Sequence, residues 1–560
     1  MKYLSTRGGT DLLSFEDTVL TGLAPNGGLY IPAYMPTLPE NWEKDWESLS
    51  FTELALNLYS LFISTDEIPR ADLKELIERS YSTFRHPEIA PVRQVRDNQY
   101  ILELFHGPTF AFKDVALQFL GNLFEYFLKR RNANKKEGEE RESLTVVGAT
   151  SGDTGSAAIY GLRSKKDISI FILHPKGRVS PVQEAQMTTV TDANVFNLAV
   201  EGTFDDCQDI VKALFSDTTF NNAYHLGAIN SINWARILAQ TVYYFSTYFK
   251  MRKLIPSTST IQFAVPTGNF GDVLAGFYAK KLGLPMEKLV VATNANDILA
   301  RFWKTGRYEK TASHDEPEAT DEGAPNKQLT PAAGSGDGGQ SGAVAETLSP
   351  AMDILVSSNF ERLLFYLALE GCTEGVVADE MESDVRTAKA CVASTHVLDW
   401  MTQLKTKGRV TVPKLAVEAA RRDIIADRVS DEETSEAIRE YFNEKNSFGS
   451  YVVDPHTAVG LVVANRIKNP STVAQVVLAT AHPAKFNAAV AVALEDIPSF
   501  DFERDIMPPE FDGLLDMPRR MIDCKGTPED VKRVVEKEVA RMIGEASMEG
   551  VQTKMNGASI

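Results

Sequence analysis

The stretch "LTVVGATSGDTGSAAIYGL", residues 144–162, changes character twice. A β-branched run ends at Gly148, a loop of Ser, Thr and Gly follows, and an Ala-rich helical pattern begins. That order is a strand turning into a helix, the repeating unit of an α/β layer. The same order recurs in "IQFAVPTGNFGDVLAGFYAKKLGL", 261–284, around "TGNFGD". Outward from these two units, most of the chain alternates short β-branched runs with helical patterns. The expected fold class is therefore α/β, with parallel or mixed sheets flanked by helices.

Both loops set backbone N–H groups and hydroxyls at the start of a helix, where an anion can bind. Neither is a Walker A loop, because no GK[ST] follows, and neither has the glycine spacing of a dinucleotide loop. Either one alone also reads as a tight structural turn. A third stretch, "HGPTFAFKDVALQFLGNLF" at 106–124, sets Lys113 where an amphipathic helix begins, after the breakers Gly107, Pro108 and Thr109. A solvated surface lysine is the ordinary alternative. A helix N-terminus and partial burial both disfavour the ammonium form, which suits an amine that holds a carbonyl cofactor as a Schiff base. The cofactor that joins a phosphate, an aldehyde and an amino-acid substrate is pyridoxal phosphate.

A chain of 560 residues exceeds one compact core, so two or three domains are expected. The net charge of -18 argues against a nucleic-acid partner. The start, "MKYLSTRGGTDLLSFED", has no apolar core of signal-peptide length, and apolar runs such as "VAQVVLATA" at 473–481 are too short to cross a bilayer. Cys207, Cys372, Cys391 and Cys524 lack CxxC spacing and read as reduced, buried thiols of a cytoplasmic protein, with no metal site. The expected division is an N-terminal domain at 1–95, an α/β domain at 96–245 and a large α/β domain at 246–525, with a C-terminal helix and tail at 526–560. Thr527 as N-cap with Pro528 behind it predicts the helix start, and "GVQTKMNGASI" at 550–560 reads as a loose tail. The segment 309–346 is rich in Gly, Pro, Ala, Ser and acids and reads as a flexible insertion.

The motifs resemble the threonine synthase family, within the group of pyridoxal-phosphate enzymes that includes tryptophan synthase β and threonine dehydratase. The likeness runs through "GLAPNGGLYIP" at 22–32, "FHGPTFAFKD" at 105–114, "SGDTGSAA" at 151–158, "AINSINWARI" at 228–237, "PTGNFGD" at 266–272, "LSPAMDI" at 348–354, "DPHTAVG" at 454–460 and "TAHPAKF" at 480–486. The resemblance implies pyridoxal-phosphate fold type II with an N-terminal extension domain. It implies that Lys113 is the Schiff-base lysine and that Gly268, Asn269, Phe270, Gly271 and Asp272 surround the cofactor phosphate. By the same likeness Thr457 faces the pyridine nitrogen, and Ser151, Gly152, Asp153 and Thr154 grip the substrate carboxylate. An ionised Asp153 would repel that carboxylate, so the contact falls to the loop's N–H groups and hydroxyls. Asn233 and Lys485 are further candidates for the substrate, Lys485 for its phosphate; His482, Lys176 and Arg178 are alternatives. Two departures stand out: Asp153 where the wider group often has Asn, and the long insertion at 309–346.

The reaction so implied joins O-phospho-L-homoserine and water to give L-threonine and phosphate, in a monomer or homodimer acting on a small molecule. An O-phospho-amino-acid lyase releasing a keto acid is the nearest alternative. A dehydratase of the same fold, which would need no cation for a substrate phosphate, and a non-catalytic binding protein are the others.

Overall fold

Strands made of Val, Ile, Leu and Phe are buried on both faces when helices cover a parallel sheet. Ile168–Pro175, Val195–Val200 and Leu289–Thr293 are such strands, buried at every position. The computed structural model describes residues 1–9, 11–136, 139–256, 259–311, 344–374, 382–444 and 447–557. Within them the strands assemble into two main sheets.

The larger sheet has six strands in the order Ile424–Arg428, Leu289–Thr293, Thr260–Pro266, Val473–Ala479, Gln99–Glu103 and Val92–Arg96. All neighbours are parallel except the last pair, an antiparallel hairpin at the edge. The smaller has five parallel strands in the order Ile522–Cys524, Val195–Val200, Ile168–Pro175, Leu144–Ala149 and Leu226–Gly227. Neither sheet respects the expected cut into 96–245 and 246–525. Gln99–Glu103 lies in the larger sheet beside Val473–Ala479, and Ile522–Cys524 closes the edge of the smaller one. Parallel neighbours need crossover connections, so a strand's partner is often remote in sequence.

At the N-terminus, Tyr3–Ser5 pairs antiparallel with Tyr30–Pro32. The helix Phe51–Phe62, opened by a Ser50/Glu53 capping box, packs Tyr59 against Phe119 with ring centroids 4.6 Å apart. Phe119 belongs to the helix Lys113–Ala133 predicted from the Lys113 stretch. That helix crosses Asp153–Leu162 through Gly121 and Gly161. A Cβ on Gly121 would stand 2.0 Å from the Gly161 carbonyl oxygen, so only glycine permits the approach. The crossing fixes the N-termini of the two helices, and hence Lys113 and Asp153, relative to one another.

At the C-terminus, Asp530 N–H donates to Thr527 Oγ1 at 3.3 Å, as the capping reading requires. The helix Pro528–Gly557 then continues through most of the stretch expected to be a loose tail. Only Cys207 and Cys524 are buried; Cys372 is half-buried and Cys391 exposed, and all four are free. Of the insertion at 309–346, residues 312–343 lie outside the described residues. Among the described residues no helix is long and apolar enough to cross a membrane.

Candidate active site

Loops with polar residues leave the C-terminal ends of four strands: Gln99–Glu103, Leu144–Ala149, Thr260–Pro266 and Val473–Ala479. Ligands of α/β sheets bind at these ends. The loop before Lys113 is stitched to the one after Val473–Ala479: Phe112 N–H donates to Thr480 O at 2.8 Å and His482 N–H to Phe110 O at 3.0 Å. Asp114 braces the Gly107–Thr109 turn by accepting from Thr109 N–H and Oγ1–H, both at 2.7 Å.

Lys113 is therefore held where the two sheets meet, 8% exposed. Its ammonium pairs with Asp153 Oδ2 on the first turn of the opposing helix. Lys485, 0% exposed, stands 2.5 Å from Asp153 Oδ1 and donates to Thr109 O at 2.9 Å. One carboxylate thus serves two lysines. Burial lowers the Lys113 pKa; Asp153 pulls it back up, and Lys485 and Arg236 push it down again. Burial would raise the Asp153 carboxyl, but the two ammonium groups outweigh it and hold it well below the usual range. The result is an amine that gives up a proton more readily than an ordinary lysine. This is the chemistry read from the helix start, although the sequence did not reveal the carboxylate and second lysine behind it.

The loop at 150–154 is organised by Thr150, which the sequence reading passed over. Thr150 Oγ1 accepts from Gly152 N–H at 2.9 Å and Gly155 N–H at 2.8 Å. Among the described residues, the N–H groups of Ser151, Asp153 and Thr154 have no backbone partner at the start of Asp153–Leu162, where a helix N-terminus leaves donors free for an anion. The Asp153 side chain is committed to lysines and takes no part there.

The second loop ends in Phe270, at φ 62° in the left-handed region, before the helix Gly271–Leu282. Its ring packs on Phe360 and Trp303, so the unusual backbone is held from behind. A Cβ on Gly268 would stand 2.9 Å from Ala351 O, which restricts the position to glycine. Asp272 Oδ1 accepts from the Tyr243 and Tyr244 hydroxyls, while Oδ2 is buried with no hydrogen-bond partner among the described residues, and burial raises the carboxyl pKa to about 6. At Phe270 the backbone conformation, and at Asp272 the bonds to Tyr243 and Tyr244, are what the structure shows of the loop expected to surround the cofactor phosphate. Asn269 is half-buried, with Oδ1 accepting from Ser358 Oγ at 3.2 Å. Asn269→Asp keeps that acceptor and adds a charge facing the helix N-terminus. It is expected to weaken pyridoxal-phosphate affinity at least about tenfold, because like charges repel strongly in a partly dry site. The thermal midpoint of the cofactor-free protein should barely move. Titration with unchanged affinity would show the loop to be a plain turn.

Thr457 is buried on the first turn of Pro455–Arg466, and its hydroxyl donates to Asp454 Oδ2. Asp454 also lies 2.8 Å from His456 Nδ1, while His456 Nε2 accepts from Ala351 N–H at 3.1 Å. A carboxylate therefore stands behind the hydroxyl read as the partner of a ring nitrogen. Its signal was present in "DPHT", an N-cap aspartate followed by proline.

The most consequential residue missed from sequence is Arg236, third in the helix Trp234–Leu254 and 4% exposed. Its Nη1 is buried with no hydrogen-bond partner among the described residues, and burial alone lowers its pKa to about 10. A buried cation in the first turn opposes the helix dipole, so its presence there calls for an anion. That conflict was legible in "NWARI". Asn233, the residue chosen instead, is spent on structure. Its Oδ1 caps the helix by accepting from Ala235 N–H, and its Nδ2 donates to Val19 O at 2.8 Å. His482 caps the turn Pro483–Phe486 and packs beside Phe105 and Phe110. Lys176 pairs with Asp523 at 2.9 Å.

These residues fit pyridoxal phosphate: a buried amine for its aldehyde, a close-packed helix N-terminus for its phosphate and a buried hydroxyl for its ring nitrogen. Comparison with known proteins agrees. Residues 2–81 match the family described as threonine synthase N terminus, 85–353 the pyridoxal-phosphate dependent enzymes and 457–535 the threonine synthase C-terminal family. The chain is 51% identical to the threonine synthase of Schizosaccharomyces pombe, covering 97% of this chain and 99% of that one. It superposes on the crystal structure of threonine synthase from yeast with a TM-score of 0.85, at 48% identity over 96% of this chain and 99% of the other. With pyridoxal-phosphate-bound threonine synthase from Brucella melitensis the TM-score is 0.79, at 38% identity over 96% and 99%.

Proposed function

Since the chain belongs to the threonine synthase family, we propose that it converts O-phospho-L-homoserine and water to L-threonine and phosphate, the last step of threonine biosynthesis. It is a pyridoxal-phosphate-dependent lyase of fold type II. The observation that carries the choice of substrate is Arg236, a buried guanidinium whose Nη1 has no hydrogen-bond partner among the described residues, close enough to Lys113 to depress its pKa. A dehydratase acting on a free hydroxyl has no use for such a cation.

When bound, pyridoxal phosphate supplies a sink for the electrons left as the substrate's carbons lose protons. The protein supplies the rest. Lys113 holds the cofactor through its amine and moves protons at the substrate Cα. Lys485 shares Asp153, so Lys113 can give up its proton without leaving that carboxylate unpaired. The N–H groups of Ser151, Asp153 and Thr154 take the substrate carboxylate, and Arg236 takes the phosphate, favouring its departure from Cγ. Lys485 is thus assigned to Asp153 and not to the substrate phosphate. On this reading the enzyme works in the cytoplasm as a monomer or a homodimer.

Product analysis tests this. O-phosphohomoserine is expected to give threonine and phosphate in equal amounts, with 2-oxobutyrate a minor by-product, since the water must add before the intermediate escapes. O-phosphothreonine and O-phosphoserine, run beside it, should react poorly. Keto acid matching phosphate in the absence of threonine would replace this reading with the lyase.

A further inference from the structure

Arg362 lies on the helix Phe360–Gly371, 0% exposed and away from the proton transfers described above. Its guanidinium donates to two remote segments and to the N-cap of its own helix. Nε donates to Tyr30 O at 2.9 Å in the N-terminal two-stranded sheet. Nη2 donates to Ile232 O at 2.5 Å, just ahead of the cap of the Arg236 helix. Nη1 donates to Asn359 Oδ1.

Asn359 extends the hub. Its Nδ2 donates to Asn269 O at 3.1 Å in the second loop and to Ser231 O at 3.0 Å. Its own N–H also donates to Asn269 O at 3.1 Å. Ser358 alongside it donates to Asn269 Oδ1 and meets Ser231 Oγ at 3.0 Å. The adjacent Glu361 pairs directly with Arg7 and accepts from Thr6, a second tie to the N-terminal domain. Burying a guanidinium for carbonyl acceptors is costly, and an apolar side chain of similar volume would pack for less. What the planar fork adds is a fixed angle between its acceptors.

We propose that Arg362 is a positioning residue that, through Asn359, holds the 267–271 loop and the 230–233 segment in one frame with the N-terminal domain. The N-terminal domain is then part of the machinery that aims the cofactor-phosphate grip and Arg236. The proposal rests on reading 267–271 as the phosphate loop.

The test compares binding of pyridoxal phosphate and of pyridoxal, which lacks the phosphate, to the cofactor-free full-length protein by absorbance titration. Thermal midpoints are measured alongside. Arg362→Met is expected to weaken pyridoxal phosphate at least about tenfold, while pyridoxal binding changes less than about twofold. Asn359→Leu should reproduce that phosphate-selective loss with the guanidinium intact. Arg362→Lys, with the charge but not the fork, should fall between wild type and Arg362→Met. If Arg362→Met does not fold, Asn359→Leu and Arg362→Lys decide. Equal losses for both ligands, or no loss for either, would reduce Arg362 to packing and overturn the proposal. Wild-type protein binding the two ligands equally well would instead remove the phosphate-loop reading beneath it.

Discussion

Lys113→Ala is expected to leave a folded protein whose turnover has fallen by about ten-thousand-fold or more. The size follows from the two tasks converging on one nitrogen, holding the cofactor and moving protons, since neighbouring groups are poor substitutes for either. Lys485 shares Asp153 with Lys113, but it is fully buried and bound by Thr109 O and Asp153, so it cannot swing into place. The same contacts protect the fold: with Lys113 gone, Asp153 keeps Lys485 as its counter-ion. Lys113→Arg sharpens the result. It keeps a positive charge beside Asp153 but cannot give up its proton, and is expected to be as inactive as the alanine variant. Turnover, the visible cofactor band and the thermal midpoint would be measured on all three proteins. Borohydride reduction of the wild type followed by mass mapping should place the pyridoxyl group on Lys113. A labelled lysine elsewhere, or turnover within about tenfold of wild type in either variant, would remove Lys113 from its role.

Arg236→Met is expected to move activity and stability in opposite directions. Removing the cation proposed to meet the substrate phosphate should lower kcat/KM by about 100- to 1000-fold, the usual loss when a buried charged contact is truncated. Yet in the protein alone that guanidinium has no hydrogen-bond partner at Nη1 and opposes the dipole of its own helix. Methionine fills a similar space without the cost of burying charge, so the thermal midpoint should rise. Inhibition by inorganic phosphate should weaken in parallel with kcat/KM. A fall in midpoint would mean that the guanidinium is part of the fold. Unchanged kcat/KM would mean that another group grips the phosphate.

Local features of the chain were readable because the residues that cause them are contiguous. The run ending at Gly148, the "TGNFGD" turn and the stripe behind Lys113 each specify a strand, a loop or a helix by their own periodicity, and the strands Leu144–Ala149 and Thr260–Pro266 and the helix Lys113–Ala133 stand where those patterns put them. The C-terminal tail was misread for the converse reason: "GVQTKMNGASI" has polar residues and glycines that weaken an isolated helix, but the helix Pro528–Gly557 is already running when it reaches them.

What the sequence by itself determined was a set of local features: a lysine at a helix start, two small-residue loops ahead of helices and a hydroxyl at a capped helix. Their chemistry follows from residue type and helix geometry, both of which are local. Only the tertiary structure decided which charges face one another. Asp153 lies 40 residues from Lys113 and 332 from Lys485 along the chain, and nothing in "SGDTG" shows that one carboxylate serves both. Arg362 reaches Tyr30 and Ile232 for the same reason. Parallel strands bring their C-terminal ends together by crossover connections that join remote parts of the chain, and the interaction of buried charges depends on separation and burial, neither of which sequence spacing encodes.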